Sequence, residues 1–322
     1  MRRLPALALV AAVACTDAAA PAPAAPRSGF VAVASNVRLH YLDFGGTGQP
    51  LVLLAGNSNS AHVFESFAPR LTDRFRVIAL TRRGFGASSQ PADGYDTRTL
   101  AEDVRIALDS LGLARVHLVG HSLAGDEMTR LAGDHPDRVA RLVYLDAGYD
   151  RVAIRDLFVA HPPPPPPALT AADVGSRAGF ARYLERVKGV RLPDAELGAT
   201  FRFAGDGSVL AEVTPPEVYV AIVAGVESPD YARVSAPALA IYAVDTTAAY
   251  LAPWLTAGAP GWAEAEALWT TVFQPFYAAE RARFAREVPG GAVLELDGAN
   301  HYVFLSDPDR VAAAIRAFLE AP

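Results

Sequence analysis

Cysteine is almost missing from this chain: Cys15 is the single one in 322 residues. A lone thiol makes no internal disulfide, so the folded part depends on its apolar core. Basic tracts are missing too. The chain carries 29 Lys and Arg against 35 Asp and Glu, a net charge of −6, which lacks the electrostatic footprint of a nucleic-acid binder. It has no phosphate-cradling loop, and Gly84-Phe85-Gly86 is too little to make a dinucleotide site. The apolar run Leu4 to Ala14 is too short to span a bilayer as a mature helix.

That run has a different use. Arg2 and Arg3 precede it, as in a secretory signal, so export is expected. Cys15 follows Ala12-Val13-Ala14, which resembles a bacterial lipoprotein box with an imperfect first position, so membrane attachment through lipidated Cys15 is one expectation. Ordinary cleavage near Ala18 to Ala20 is the other. Residues 1–27 thus read as a signal followed by an Ala- and Pro-rich tether. The remainder, in a chain 51% hydrophobic and 20% charged, can bury one large α/β core with an inserted subdomain.

The core is organised around Val119-Gly120-His121-Ser122-Leu123-Ala124-Gly125, a G-x-S-x-G pattern. Before it, Arg115 to Val119 is short, β-branched and apolar, as a buried strand is. After it, Ala124, Met128, Leu131 and Ala132 fall on one helical face until His135-Pro136. A strand that turns into a helix within one residue forces strained dihedrals on that residue and pushes the Ser122 hydroxyl out of the sheet. Ser122 also sits at a helix N-terminus, where unpaired N–H groups can hold an oxyanion.

Strand and helix alternate elsewhere. Val31 to Val33 and Val37 to Leu42 read as antiparallel strands, Leu51 to Leu54 as a central strand, and Phe64, Phe67 and Leu71 as one face of a helix. The strand Arg76 to Leu80 follows, then the helix Thr99 to Leu111. The order predicts a mostly parallel sheet with ligands at the carboxyl ends of its strands.

This arrangement resembles the α/β-hydrolase superfamily across nearly all of residues 30 to 320. The loop at Gly56-Asn57, the turn Arg83-Gly84-Phe85-Gly86, the elbow at Ser122 and Gly298-Ala299-Asn300-His301 carry the likeness. The chain departs from the usual pattern at Ala55, where relatives commonly have His, and at Thr81, where they often have Asp. The resemblance implies an α/β-hydrolase fold with core segments 28–150 and 237–322 and a helical cap at 151–236.

A serine nucleophile needs a base, and the base an orienter. His301 follows the strand Ala292 to Leu296 across a short loop, on the same rim as Ser122, where the superfamily places its catalytic histidine. His121 is expected to pack, and His40, His62, His117, His135 and His161 have no motif around them. Two aspartates fit the order serine, acid, histidine: Asp146 after the strand Arg141 to Leu145, and Asp245 after Leu239 to Val244. Asp146 is preferred, because Asp245 falls one residue early for the commoner position. Asp150 and Asp297 read as solvated loop carboxylates.

The resemblance assigns the oxyanion hole to the backbone N–H groups of Asn57 and Leu123, with the Asn57 amide facing the pocket. Dehalogenases carry an asparagine at that place but need an aspartate nucleophile, which Ser122 excludes. Within the insertion, Pro162 to Pro167 reads as a stiff spacer, and helices are expected around Phe180 to Val187 and Val218 to Val226. Aromatics from Tyr250 to Phe284 are expected to be mainly packing. The expected function is an exported serine hydrolase of carboxyl esters or related acyl bonds on a small-molecule substrate, without metal or organic cofactor. The alternative is an inactive relative that binds a small apolar ligand at the cell envelope.

Overall fold

The computed structural model describes residues 25–321. The segment read as an export signal, with Cys15, therefore lies outside the described residues. In chain order the strands are β1 (Arg27–Ala34), β2 (Val37–Gly45), β3 (Pro50–Leu54), β4 (Arg76–Leu80), β5 (Val116–His121), β6 (Val139–Leu145), β7 (Phe201–Phe203), β8 (Val209–Glu212), β9 (Ala238–Val244) and β10 (Ala292–Asp297). The helices are α1 (Thr97–Ser110), α2 (Ala124–Asp134), α3 (Arg151–Ala160), α4 (Ala171–Val174), α5 (Arg177–Lys188), α6 (Asp194–Thr200), α7 (Pro216–Ala224), α8 (Trp262–Leu268), α9 (Gln274–Glu287), α10 (Val303–Ser306) and α11 (Pro308–Leu319).

Eight strands form one sheet in the order β1-β2-β4-β3-β5-β6-β9-β10. β2 pairs antiparallel with both β1 and β4, and every other pairing is parallel. Its central strands are buried on both faces, which is why Leu51-Val52-Leu53-Leu54 is continuously apolar. Each such side chain contributes about 1.5–3 kcal/mol by leaving water. The apolar faces of α1 and α2 become one core layer: Val104, Leu108, Met128 and Leu131 pack with Phe284 of α9. Phe64, Phe67 and Leu71 meet Val311 and Ile315 of α11 on the opposite face. Among the described residues no helix is long and apolar enough to cross a membrane.

Three local expectations change. Phe64, Phe67 and Leu71 are buried, but Phe64 and Leu71 end two short 3-10 turns, Ala61–Phe64 and Ala68–Leu71, and Phe67 lies between them, rather than all three on one helix. Pro69 has no N–H to continue a helical ladder. Arg27, assigned to the tether, opens β1 and pairs with Asp43 at 2.8 Å. Asp150 is not solvated: it is buried, caps α3 by accepting from the Val152 and Ala153 N–H groups, and pairs with Arg283 at 3.0 Å. Asp297 is exposed.

Between β6 and β9 the chain makes α3 to α7 and a small antiparallel ribbon, β7–β8, that apolar periodicity did not announce. α3 stops at Ala160, and the proline run after His161 carries no helix or strand. Glu196 of α6 ties this segment to the core. Its carboxylate is fully buried and accepts from Asn59 Nδ2 at 3.0 Å, Ser60 N–H at 3.0 Å and Ser60 Oγ at 2.5 Å, in the loop after β3. Burial pushes its pKa up, against the pull of these donors.

The elbow needs its glycines for space. A Cβ on Gly125 would overlap the Ala147 carbonyl oxygen, and backbone cannot step aside as a side chain can. Gly125→Ala should therefore lower the urea-unfolding free energy by at least about 1–3 kcal/mol. Gly205→Ala, with open space around its Cβ, should stay within about 0.5 kcal/mol of wild type.

Candidate active site

Ser122 follows β5 directly and takes left-handed dihedrals, φ 54°. Asp146, one strand over at the end of β6, does the same at φ 48°. Such conformations cost a side-chain-bearing residue about 1–3 kcal/mol and persist only where surrounding structure imposes them. Here the imposing contacts are backbone: Ser122 N–H donates to the Leu145 carbonyl at 3.1 Å and Asp146 N–H to the Ile241 carbonyl at 2.8 Å. Both segments thus leave the sheet at the same rim. Gly56 passes against the elbow, where a Cβ would lie 2.7 Å from His121 Nδ1 and 3.1 Å from Ser122 Cβ.

His301 arrives on the loop between β10 and α10. That loop turns at Gly298, φ 69°, and Asn300 pins it to α5 by donating to the Lys188 carbonyl at 2.8 Å. His301 Nδ1–H donates to Asp146 Oδ2 at 2.6 Å, which leaves Nε2 as the free ring nitrogen. His121 donates from Nε2 to the His301 carbonyl at 3.0 Å and packs on Tyr302 and Phe304. Burial holds its pKa well below 6.5, so it stays neutral. His40, His62, His117, His135 and His161 line no part of the cavity at Ser122.

Asp146 is completely buried, yet each oxygen is satisfied. Oδ2 accepts from His301 and from Tyr250 OH at 2.6 Å; Oδ1 accepts from Tyr149 OH at 2.6 Å and Ala243 N–H at 3.2 Å. Burial and the Asp146 charge raise both tyrosine pKa values well above 10, so both phenols remain donors at neutral pH. Asp245 is elsewhere: it closes a turn on Thr247, accepting from N–H at 2.8 Å and Oγ1 at 2.9 Å.

Asn57 and Leu123 line the cavity beside Ser122. Behind the Asn57 loop, Arg82 is buried, paired with Glu127, and donates to the Gly56 carbonyl at 3.1 Å and the Ala55 carbonyl at 2.8 Å. A trans peptide sets N–H opposite to C=O, so holding the Gly56 carbonyl on Arg82 turns the Asn57 N–H the other way. Asn57 Oδ1 is buried without a partner.

The cavity has two lobes that share Asn57, Ser122, Arg151, Ile154 and Phe158. One, about 400 Å³, reaches His301, Lys188 and the aromatics Tyr250, Trp254 and Tyr277. The other, about 420 Å³, is walled by Leu123, Ile222 and Val223. The aromatic segment divides accordingly: Trp269, Phe273 and Phe284 are core, whereas Tyr250, Trp254 and Tyr277 face the cavity. Sequence reasoning missed Tyr149, Tyr250, Arg82 and Arg151. Tyr149 and Arg151 lie close after Asp146, but no spacing rule marks them.

Residues 49–197 match the model of a family described as alpha/beta hydrolase fold. A soluble epoxide hydrolase from Corynebacterium sp. (strain C12) is 40% identical over 115 residues, 36% of this chain and 40% of that protein, so the match spans about two fifths of that relative's length. Among solved structures, an E-2-(acetamidomethylene)succinate hydrolase superposes with a TM-score of 0.68 at 21% identity, covering 92% of this chain and 100% of that one. A carboxylesterase from Bacillus subtilis superposes with a TM-score of 0.59 at 18% identity, covering 92% and 93%. The chain therefore has the α/β-hydrolase fold, and residues 49–197 are the part that matches the family model.

The Asp146 network makes a stability prediction. Tyr149→Phe and Tyr250→Phe each remove one donor from a buried carboxylate. Each should lower the urea-unfolding free energy by about 1.5–3 kcal/mol, without changing the far-UV circular dichroism.

Proposed function

We propose that the protein is a serine hydrolase that cleaves carboxyl esters or related acyl bonds through an acyl-enzyme on Ser122. The observation that carries this reading is the 2.6 Å bond from His301 to a fully buried Asp146, with His301 and Ser122 lining one cavity. In this reading Ser122 Oγ attacks the substrate carbonyl carbon while His301 Nε2 takes its proton. Asp146 fixes the ring and stabilises the imidazolium that forms. The Asn57 and Leu123 N–H groups hold the oxyanion. When the tetrahedral intermediate collapses, the carbon–oxygen bond to the leaving group breaks and His301 returns the proton to that oxygen. Water, deprotonated by the same nitrogen, then attacks the acyl-enzyme and frees the acid and Ser122.

An ester is favoured over other acyl bonds because apolar walls from α3 and α7, Ile154, Phe158 and Val223, enclose the serine as a cap would. The fold shared with a carboxylesterase supports the same choice. The N-terminal segment belongs to this reading as an export signal followed by a tether, with lipidation of Cys15 or cleavage near Ala18 to Ala20 as its two outcomes.

The test is turnover of p-nitrophenyl esters of increasing acyl length. Ser122→Ala and Asp146→Asn should each lower kcat by roughly 10³-fold or more, and Asp245→Asn by less than about twofold. A fluorophosphonate should label wild type and not Ser122→Ala. No turnover together with no labelling would remove the hydrolase reading and leave the ligand-binding one.

A further inference from the structure

Arg151 is the unexplained group at this site. It opens α3, lines both lobes of the cavity beside Ser122, and its side chain is only 14% exposed. A buried guanidinium ordinarily has its N–H groups taken up by carboxylates or carbonyls. Here Nε and Nη2 are buried with no hydrogen-bond partner. Its ion-pair neighbour, Asp126, stands 3.9 Å from Nε, beyond hydrogen-bond reach, and has an unpartnered Oδ2 of its own. Burial drives Asp126 strongly toward its neutral form, so it compensates the guanidinium poorly. On its other side Arg151 lies over the Tyr149 ring, 5.7 Å from its centre.

The surrounding charge has one sign. Lys188 and Arg151 line the His301 lobe, and Arg151 and Arg155 the other. Among the described residues neither lobe is lined by an aspartate or a glutamate, although the whole chain has a net charge of −6. Arg155 is engaged by Asp156 at 2.9 Å, and Lys188 Nζ donates to Tyr302 OH at 3.2 Å. Of these three cations, Arg151 is the one that lines both lobes beside Ser122.

We propose that the site takes substrates carrying a carboxylate next to the scissile acyl group, and that the Arg151 guanidinium recognises that carboxylate. The inference rests on the hydrolase reading above and narrows its substrate class to half-esters and similar acyl anions. A guanidinium at the cavity wall carries a permanent positive charge and can give a carboxylate a charge-assisted hydrogen bond. Since both lobes share Arg151, the anion sits near the reacting carbonyl whichever lobe takes the acyl group.

The test compares monomethyl succinate, a half-ester, with dimethyl succinate, which differ in charge, as substrates of the full-length protein. Wild type should favour the anion in kcat/KM by about tenfold or more, the scale of one charge-assisted hydrogen bond. That ratio should fall toward one in Arg151→Met and be partly restored in Arg151→Lys. A binding measurement on wild type runs beside it: adipate should raise Tm and compete with p-nitrophenyl butyrate, whereas the neutral isostere adipamide should do neither. Equal rates on the two esters, an unchanged ratio in Arg151→Met, or equal effects of adipate and adipamide would each overturn the proposal, the last even if Arg151→Met fails to fold. Neutral esters turned over without anion preference would sink this inference and spare the hydrolase reading. Stabilisation by adipate with no turnover or fluorophosphonate labelling would do the reverse.

Discussion

A single carboxylate with no access to water sets the terms for the rest of this site. Asp146 is fully buried, and an isolated charge there would be too costly to keep. It is tolerated because four donors converge on it from four parts of the chain: His301, Tyr250, Tyr149 and the Ala243 N–H of the neighbouring strand. The network is cooperative in the ordinary sense that each oxygen has two donors, and removing one leaves the other to offset the desolvation of that oxygen alone. It also fixes the His301 ring, since Nδ1 is committed and only Nε2 can face the cavity.

That convergence depends on two strained residues. Ser122 and Asp146 end adjacent parallel strands and both take positive φ, so their side chains leave the sheet on one rim. The sheet supplies the force: the backbone bonds from Ser122 to Leu145 and from Asp146 to Ile241 carry the ladder one residue past each strand. Close packing closes off alternatives. Gly56 and Gly125 leave no room for a Cβ beside the elbow, and Arg82 holds the two carbonyls before Asn57 from behind. The loop carrying Asn57 is therefore as fixed as the strands.

The inserted segment provides chemistry of another kind. α3, α5 and α7 bring apolar walls and three cations to the cavity. A buried Glu196 binds the same segment to the loop after β3, so its position relative to Ser122 is held by hydrogen bonds rather than by apolar contact alone. The core thus carries a histidine hydrogen-bonded to a buried carboxylate, and the insertion carries an arginine at the cavity wall. A reacting group at Ser122 meets both.

Much of this was legible beforehand. The α/β alternation, the elbow at Ser122 and the histidine after the last strand follow from apolar periodicity and from glycines at fixed spacing, which are local rules. The order of Asp146 before His301 was also visible, but two aspartates fitted it equally as a matter of order. Only the sheet register decides that Asp146 lies on His301 while Asp245 turns back on Thr247. Tyr250 and Arg151 carry no local signal, because their roles come from chain segments far apart in sequence meeting at one rim. The burial of Asp150, read as solvated, has the same origin: Arg283 and Ser228 reach it from distant segments. The sequence by itself determined the alternation of strands and helices in the core and where Ser122 and His301 stand in it. Tertiary structure alone decided which carboxylate, phenols and guanidinium surround them, because hydrogen-bond partners and charge compensation are set by contact in space and not by spacing along the chain.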